Sequence, residues 1–286
     1  MEKALRIAVL DMNNGVQNEG MRCIRKAIEN FGEEEGFPVT YEVFNVRQEN
    51  RVPDLGFDGY ISSGGPGSPH PAGEPWERKF FNFLDAVLLY NQNRKNRIKK
   101  PVLLICHSFQ LACIYWKAGL VGNRRSTSFG TFPVHKTRYA HDEPLFEGLD
   151  DPFWVVDSRD FQVIQPNGPV LERMGAKILC LEKIRPHVDL ERAVMAIRFT
   201  KEIIGTQFHP EADAAGMGRH FTNEERREKI IKTYGKAKYE DMIAHLGDPD
   251  KIALTESVIL PRFLASVRKA AGVFQEINEA GPGVMS

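Results

Sequence analysis

The chain has 286 residues, 42% of them hydrophobic, which is enough for a well-buried core in one large domain or two small ones. Its 38 basic residues balance 38 acidic ones, so charge gives no case for a nucleic-acid or membrane partner, and a small molecule or another protein is expected instead. The N-terminal residues lack the apolar stretch of a signal peptide, and no later run approaches membrane-spanning length. Four cysteines, Cys23, Cys106, Cys113 and Cys180, show neither paired nor metal-type spacing, which suits a reducing cytoplasm. The histidines are scattered as well, so no metal and no other cofactor is expected.

In chain order, Leu5 to Leu10, Val39 to Val46, Tyr60 to Ser62 and Val102 to Cys106 read as buried strands, with helical spacing over Met21 to Phe31 and Trp76 to Tyr90. Strand, helix, strand in alternation predicts an α/β parallel sheet with helices on both faces. After Gly119 the pattern turns strand-rich: Phe129 to Val134, Phe153 to Val156, Lys177 to Leu181, Ala193 to Phe199 and Glu202 to Phe208. These read as an antiparallel addition that rejoins the main sheet just before His209. From about Ala212 to Ser286 the chain is charged and helical, with Tyr239, Met242, Ile243 and Leu246 on one stripe and Leu260, Phe263, Leu264, Val267, Ala271 and Phe274 on another. Pro261 fits the first turn of that last helix. The division expected is a catalytic domain over 1–211 and a helical extension over 212–286.

Cys106 lies where the run Pro101-Val102-Leu103-Leu104-Ile105 meets a helical pattern beginning at His107. A cysteine on such a turn exposes its sulfur above the sheet, and a helix N-terminus and a nearby imidazole are the usual means of activating a thiol. About a hundred residues on, Gln207-Phe208-His209-Pro210-Glu211 supplies the imidazole. In an extended segment His209 and Glu211 point the same way, so the carboxylate can orient the ring, and Pro210 stiffens the pair. The N–H of His107 faces a developing oxyanion, and the loop Ser62-Ser63-Gly64-Gly65-Pro66-Gly67-Ser68 can bring a second backbone donor close. That loop lacks the Gly-Lys-Ser/Thr ending of a nucleotide-phosphate loop. Taken alone, a cysteine before a helix is an inert core residue and a His-x-Glu a surface accident; their joint placement at strand ends is what points to a site.

The run Phe57 to Pro69, the Cys106 elbow with Gln110, and Gln207 to Glu211 resemble, in order, the three signature blocks of class I glutamine amidotransferases of the glutaminase type, such as the amidotransferase domain of GMP synthase. The resemblance implies a flavodoxin-like, three-layer, mostly parallel open sheet. It also implies attack of Cys106 on a γ-carboxamide to give a γ-glutamyl thioester and ammonia. On that basis His209 is base and then acid, Glu211 orients it, Gly65 and His107 form the oxyanion hole, and Gln110 helps to hold the glutamyl part. Two departures stand out. The family's elbow is Gly-x-Cys-x-Gly, whereas Leu104 and Ser108 flank Cys106 here, which predicts a shifted helix. In Asp157-Ser158-Arg159-Asp160, where many members carry a histidine, Arg159 is either a clamp for the substrate carboxylate or a solvated surface residue.

Three function classes follow. The first is a glutaminase supplying ammonia to an acceptor synthetase on a separate subunit, since the tail carries no ATP loop. The second is a freestanding hydrolase of γ-glutamyl amides or peptides, and the third a catalytically silent binding module. The tail is expected to pack as a helical layer bordering the cleft through Ala212 to His220, with Gly216 and Gly218 as flexible points, and to narrow access to small γ-glutamyl substrates. A homodimer contact or a plain packing extension are its other readings.

Overall fold

The computed structural model describes residues 4–187 and 189–272. Phe274 and the rest of the chain's last fourteen residues, 273–286, lie outside them. Strand β1 (Leu5–Asp11) leads into α1 (Glu19–Glu35), which starts where the Asn18 side chain accepts from the Gly20 N–H and stops at Gly36, φ 64°. There follow β2 (Val39–Asn45), the single turn α2 (Val46–Glu49) and β3 (Gly59–Ser62). Helix α3 (Pro75–Gln92) opens with a capping box between Glu74 and Glu77. Then come β4 (Val102–Ile105) and α4 (His107–Tyr115). A long hairpin of β5 (Leu120–Lys136) and β6 (Phe153–Ile164) leads through α5 (Gly168–Met174) to β7 (Lys177–Glu182), β8 (Val194–Arg198) and β9 (Ile203–Thr206). The tail forms α6 (Ala214–Thr222), α7 (Glu224–Tyr234), α8 (Lys236–Gly247), a wide turn Pro249–Ala253 and α9 (Leu254–Ala271).

Among the described residues these strands make one nine-stranded sheet in the order β2-β1-β3-β4-β9-β8-β7-β5-β6. β2, β1, β3, β4 and β9 are mutually parallel, and the rest are antiparallel. The parallel half is the flavodoxin-like arrangement, and the antiparallel addition rejoins it through β9, as the sequence predicts. Strand side chains alternate between two cores. Ile7, Val9, Leu103 and Ile105 join α1 and α9 on one face, while Ala8, Leu10, Val102 and Leu104 join α3 and α4 on the other. A third cluster, with Val156, Phe221, Tyr239, Met242 and Leu246, lies between the β5–β6 hairpin and the tail helices.

Two local expectations are corrected. Pro261 is not in the first turn of its helix but inside α9, which begins at Leu254. An interior proline costs about 3 kcal/mol, but burying each of Ile259, Leu260, Phe263 and Leu264 around it returns about 1.5–3 kcal/mol. Gly216 and Gly218 are not hinges; both sit inside α6. The Arg22 guanidinium packs over Gly216. Leu104, beside the elbow, is fully buried, and its partner in register on β9 is Gly205, whose missing side chain admits the Phe109 ring of α4.

Candidate active site

The elbow is built by strain and anchored by serines. Cys106 takes φ 47° and ψ −97°, its N–H donating to the Thr206 carbonyl at 2.7 Å, so the chain turns sharply from β4 into α4 with the sulfur turned out of the sheet. Ser108 Oγ, where the family's second glycine would stand, donates to the Ser63 carbonyl at 2.7 Å and lies 2.7 Å from Ser62 Oγ. Ser63 Oγ in turn donates to the Gly64 carbonyl at 2.8 Å and accepts from the Met12 N–H at 3.0 Å. The serine therefore ties the first turn of α4 to the glycine loop. Gly65 lies so close to the end of β1 that a β-carbon on it would come within 2.3 Å of the Met12 carbonyl oxygen.

Because β4 and β9 are neighbours and parallel, Cys106 and His209 emerge at the same edge of the sheet. A β-carbon on Gly64 would lie 2.9 Å from His209 Cε1 and 3.4 Å from Cys106 Cβ, so loop, thiol and imidazole meet at this point. His209 donates its N–H to the Val156 carbonyl at 3.0 Å, which pins it under β6. Its Nδ1 is 2.8 Å from Glu211 Oε1. Burial disfavours the charged ring, but the Glu211 carboxylate, Cys106 and hydrogen bonds to both outweigh it and hold the His209 pKa well above the usual value. Around the sulfur, Gln207 Nε2 lies at 3.6 Å and the Ser158 carbonyl at 3.9 Å.

Cys106, His209, Glu211, Gly64 and Gly65 thus line one cavity of about 450 Å³. His107 begins α4, where a first-turn N–H has no partner within the helix. Its side chain is buried beneath, and burial together with the nearby Arg47 charge pushes its pKa down to about 3, so the ring is neutral. Gln110 is buried and does not line the cavity. Its Nε2 donates to Gln207 Oε1 at 3.1 Å and to the Phe161 carbonyl at 3.3 Å, bracing the residue that touches the sulfur.

Arg159 is neither the clamp nor the surface residue of the two readings. Its side chain is 1% exposed, with Nε 2.9 Å from Asp157 Oδ2 and Nη2 3.2 Å from Glu182 Oε1. Arg124 Nη2 reaches the same Glu182 oxygen at 2.9 Å. Burial would raise the Glu182 pKa, but Arg159, Arg124 and Arg185 hold it below the usual carboxylate range. Committed to these anions, Arg159 braces the β5–β6 hairpin from behind, and Asp157, which also accepts from Ser128 Oγ at 2.7 Å, faces the cleft instead.

Several wall residues carry no motif. Asn13 and Val16 from the loop after β1, Gly20 at the start of α1, Phe129 from β5, and Met217 and Phe221 from α6 all line the cavity. Among the described residues no cluster of histidine, cysteine and carboxylate is arranged to hold a metal, and no helix is long and apolar enough to cross a membrane.

A family profile described as "Glutamine amidotransferase class-I" matches residues 20–228. The chain belongs to that family. No curated protein matches it. Among solved structures it is similar to a glutamine amidotransferase from Thermotoga maritima, at 16% identity and a TM-score of 0.63 over 93% of this chain and 98% of that one. A glutamine amidotransferase from Methylobacillus flagellatus gives the same identity and a TM-score of 0.63 over 98% of this chain and 100% of the other. The glutaminase domain of the Trypanosoma brucei CTPS, with bound acivicin, aligns at 14% identity and a TM-score of 0.57 over 95% of both chains. These likenesses carry the class I amidotransferase fold over nearly the whole chain.

Proposed function

We propose that this class I amidotransferase hydrolyses the γ-carboxamide of glutamine through a γ-glutamyl thioester on Cys106. The observation that carries the reading is the meeting of Cys106, His209 and the Gly64–Gly65 loop around one cavity, with Glu211 Oε1 2.8 Å from His209 Nδ1. With Nδ1 committed to Glu211, the other ring nitrogen is left to take the thiol proton. The sulfur attacks the amide carbon, and charge developing on oxygen is met by the N–H groups of Gly65 and His107. The imidazolium returns its proton to the nitrogen, ammonia leaves, and a water activated by the same ring cleaves the thioester to glutamate. Glu211 favours the imidazolium that both steps pass through. Ammonia then passes to an acceptor enzyme on a separate chain.

A second reading, a freestanding hydrolase of γ-glutamyl amides by the same chemistry, is favoured by the apolar wall of the cleft. Ammonia and glutamate release from glutamine by the purified chain tests the shared chemistry. Turnover is expected in the wild type and its loss in Cys106→Ser. A Cys106→Ser enzyme as active as the wild type would overturn the assignment.

A further inference from the structure

The cleft is larger than a glutamine requires. At about 450 Å³ it falls within the range that holds drug-sized ligands. Beside Cys106, His209 and the glycine loop it is lined by polar groups, among them Asn13, Glu19 and Asp157, and by an apolar wall of Val16, Phe129, Met217 and Phe221, drawn from three separate parts of the chain. This wall is held in place. The Phe129 ring meets Phe221 edge-on at 5.9 Å and stacks on Tyr234 at 4.8 Å with 12° between the planes. Phe221 is 6% exposed, anchored in the cluster with Tyr239 and Met242, whereas Val16 is 61% exposed at the mouth. A preorganised apolar surface next to a nucleophile lowers the cost of ordering a ligand that can cover it. Ammonia, small and polar, leaves that surface idle.

With the γ-glutamyl half fixed by the chemistry at Cys106, the leaving amine is the part of a substrate that can differ in size. We propose that the leaving-group side of the site accepts an aralkyl amine, a primary amine bearing an aromatic ring on a short alkyl chain, with the ring packed against Phe129, Phe221 and Met217. The proposal rests on the thioester reading above and names the substrate class that its second form would take. Aromatic pairs gain beyond the area they bury, and a methionine sulfur packs well against a ring, so an aromatic leaving group suits this wall better than an aliphatic one of equal bulk. The Sγ–Cδ bond forms as the Cδ–N bond breaks, His209 delivers the thiol's proton to the nitrogen, and the neutral amine departs. Water then cleaves the thioester, giving the γ-carboxylic acid of glutamate and restoring the thiol.

The test compares kcat/KM of the full chain for glutamine, γ-glutamylethylamide and γ-glutamylphenethylamide, read as glutamate released. Phenethylamine is somewhat the weaker base, so it is the fall of the ratio in the wall variants, and not the ratio alone, that separates the wall from the ease of bond cleavage. The phenethylamide is expected to exceed the ethylamide by at least about tenfold, the scale on which an apolar pocket discriminates. Phe221→Ala and Met217→Ala should each bring that ratio toward one, and Met217→Ala serves where loss of Phe221 unsettles the tail. A ratio near one with glutamine and ethylamide both turned over would overturn the inference and leave the Cys106 chemistry standing. A high ratio unmoved in both variants would also overturn it, and no turnover of any of the three would overturn both readings.

Discussion

Gly20 stands so close to Glu211 that a β-carbon on it would lie 2.9 Å from Oε1, the oxygen that holds His209 Nδ1. Glu211 is 4% exposed, its Oε2 has no hydrogen-bond partner among the described residues, and the start of α1 approaches it on the Oε1 side. A helix N-terminus favours a carboxylate by about 0.3–1 kcal/mol. Gly20→Ala therefore sets two effects against each other. Alanine improves helix propensity by up to about 1 kcal/mol, but the same methyl would come 2.8 Å from Asn18 Oδ1, which caps α1, so the melting temperature should change little. The added methyl pushes Oε1 off His209, and kcat should fall roughly ten- to a hundredfold, the scale of a displaced catalytic group. A Gly20→Ala enzyme with wild-type kcat would show that the close approach is incidental.

The raised pKa of His209 sets the direction of a pH effect. Because Glu211 and Cys106 outweigh burial, the imidazolium persists above the unperturbed value near 6.5. Proton delivery to the leaving nitrogen is then retained through neutral pH, and kcat should fall on the alkaline side as the ring loses its proton. Glu211→Gln removes the charge that supports the imidazolium, so the alkaline limb should move to lower pH. The same linkage contributes stability in full below about pH 6.5, lost as pH rises through the folded value. His209→Ala should cost about 10²–10⁴-fold in kcat, with Glu211→Gln the milder lesion. A pH–rate profile for Glu211→Gln that coincides with the wild type would refute the assignment.

What the sequence disclosed was whatever the chain writes locally. The parallel strands are short apolar runs bounded by turns, and Cys106 and His209 stand just beyond two of them, so their meeting needed only that β4 and β9 be neighbours. Arg159 was misread because one of its two anions, Glu182, comes from β7, and a charge pattern along one strand cannot disclose an anion brought from another. Pro261 was misplaced because α9 starts at Leu254 with no capping side chain, leaving the proline as the only visible start signal. The aromatic wall was invisible for a similar reason. Phe129 and Phe221 are far apart in the chain and meet only when the tail folds back over the hairpin.

Cys106 should be the thiol that a glutamine-mimicking chloroketone labels. Cys113 and Cys180 are fully buried, and burial pushes both thiols well above their usual pKa. Cys23 lines the cleft, yet burial pushes it up to about 11, so near pH 7 about one molecule in 10⁴ carries the reactive thiolate there. Peptide mapping of the labelled chain is expected to place the modification on Cys106 alone, and equal labelling of all four cysteines would sink the nucleophile assignment.

His107 makes the fold sensitive to acid. Its folded value of about 3 lies below the unfolded value near 6.5, so between these limits the unfolded chain binds a proton that the folded chain refuses. Stability should fall as pH drops through that window, by about 1.4 kcal/mol per unit from this residue. Its Nε2 is also buried with no hydrogen-bond partner among the described residues, itself a cost of about 1–3 kcal/mol. His107→Leu keeps the backbone N–H and removes both penalties. Urea unfolding at pH 7 and pH 5 should show a smaller loss between the two for the variant than for the wild type, and equal losses would place the acid sensitivity elsewhere.

Gly205 carries the last prediction, which concerns how an elbow flanked by leucine still closes. Leu104 pairs in register with Gly205 across β4 and β9, and a β-carbon on Gly205 would lie 2.5 Å from Phe109 Cδ2 and 3.1 Å from Phe199 Cε2. Both rings are fully buried in the core that also holds Leu104, so neither has room to retreat. The small residue that brings helix and sheet together is thus found on the neighbouring strand, not beside Cys106. Gly205→Ala overpacks this junction and should cost about 1–3 kcal/mol, read as a lower denaturation midpoint. Because α4 starts at the elbow, the same push should tilt its first turn and lower kcat more than it raises KM. Phe109→Leu in the Gly205→Ala background returns the space and should recover part of both losses. A double variant no better than the sum of the two single ones would mean that Gly205 serves the strand and not its contact with α4.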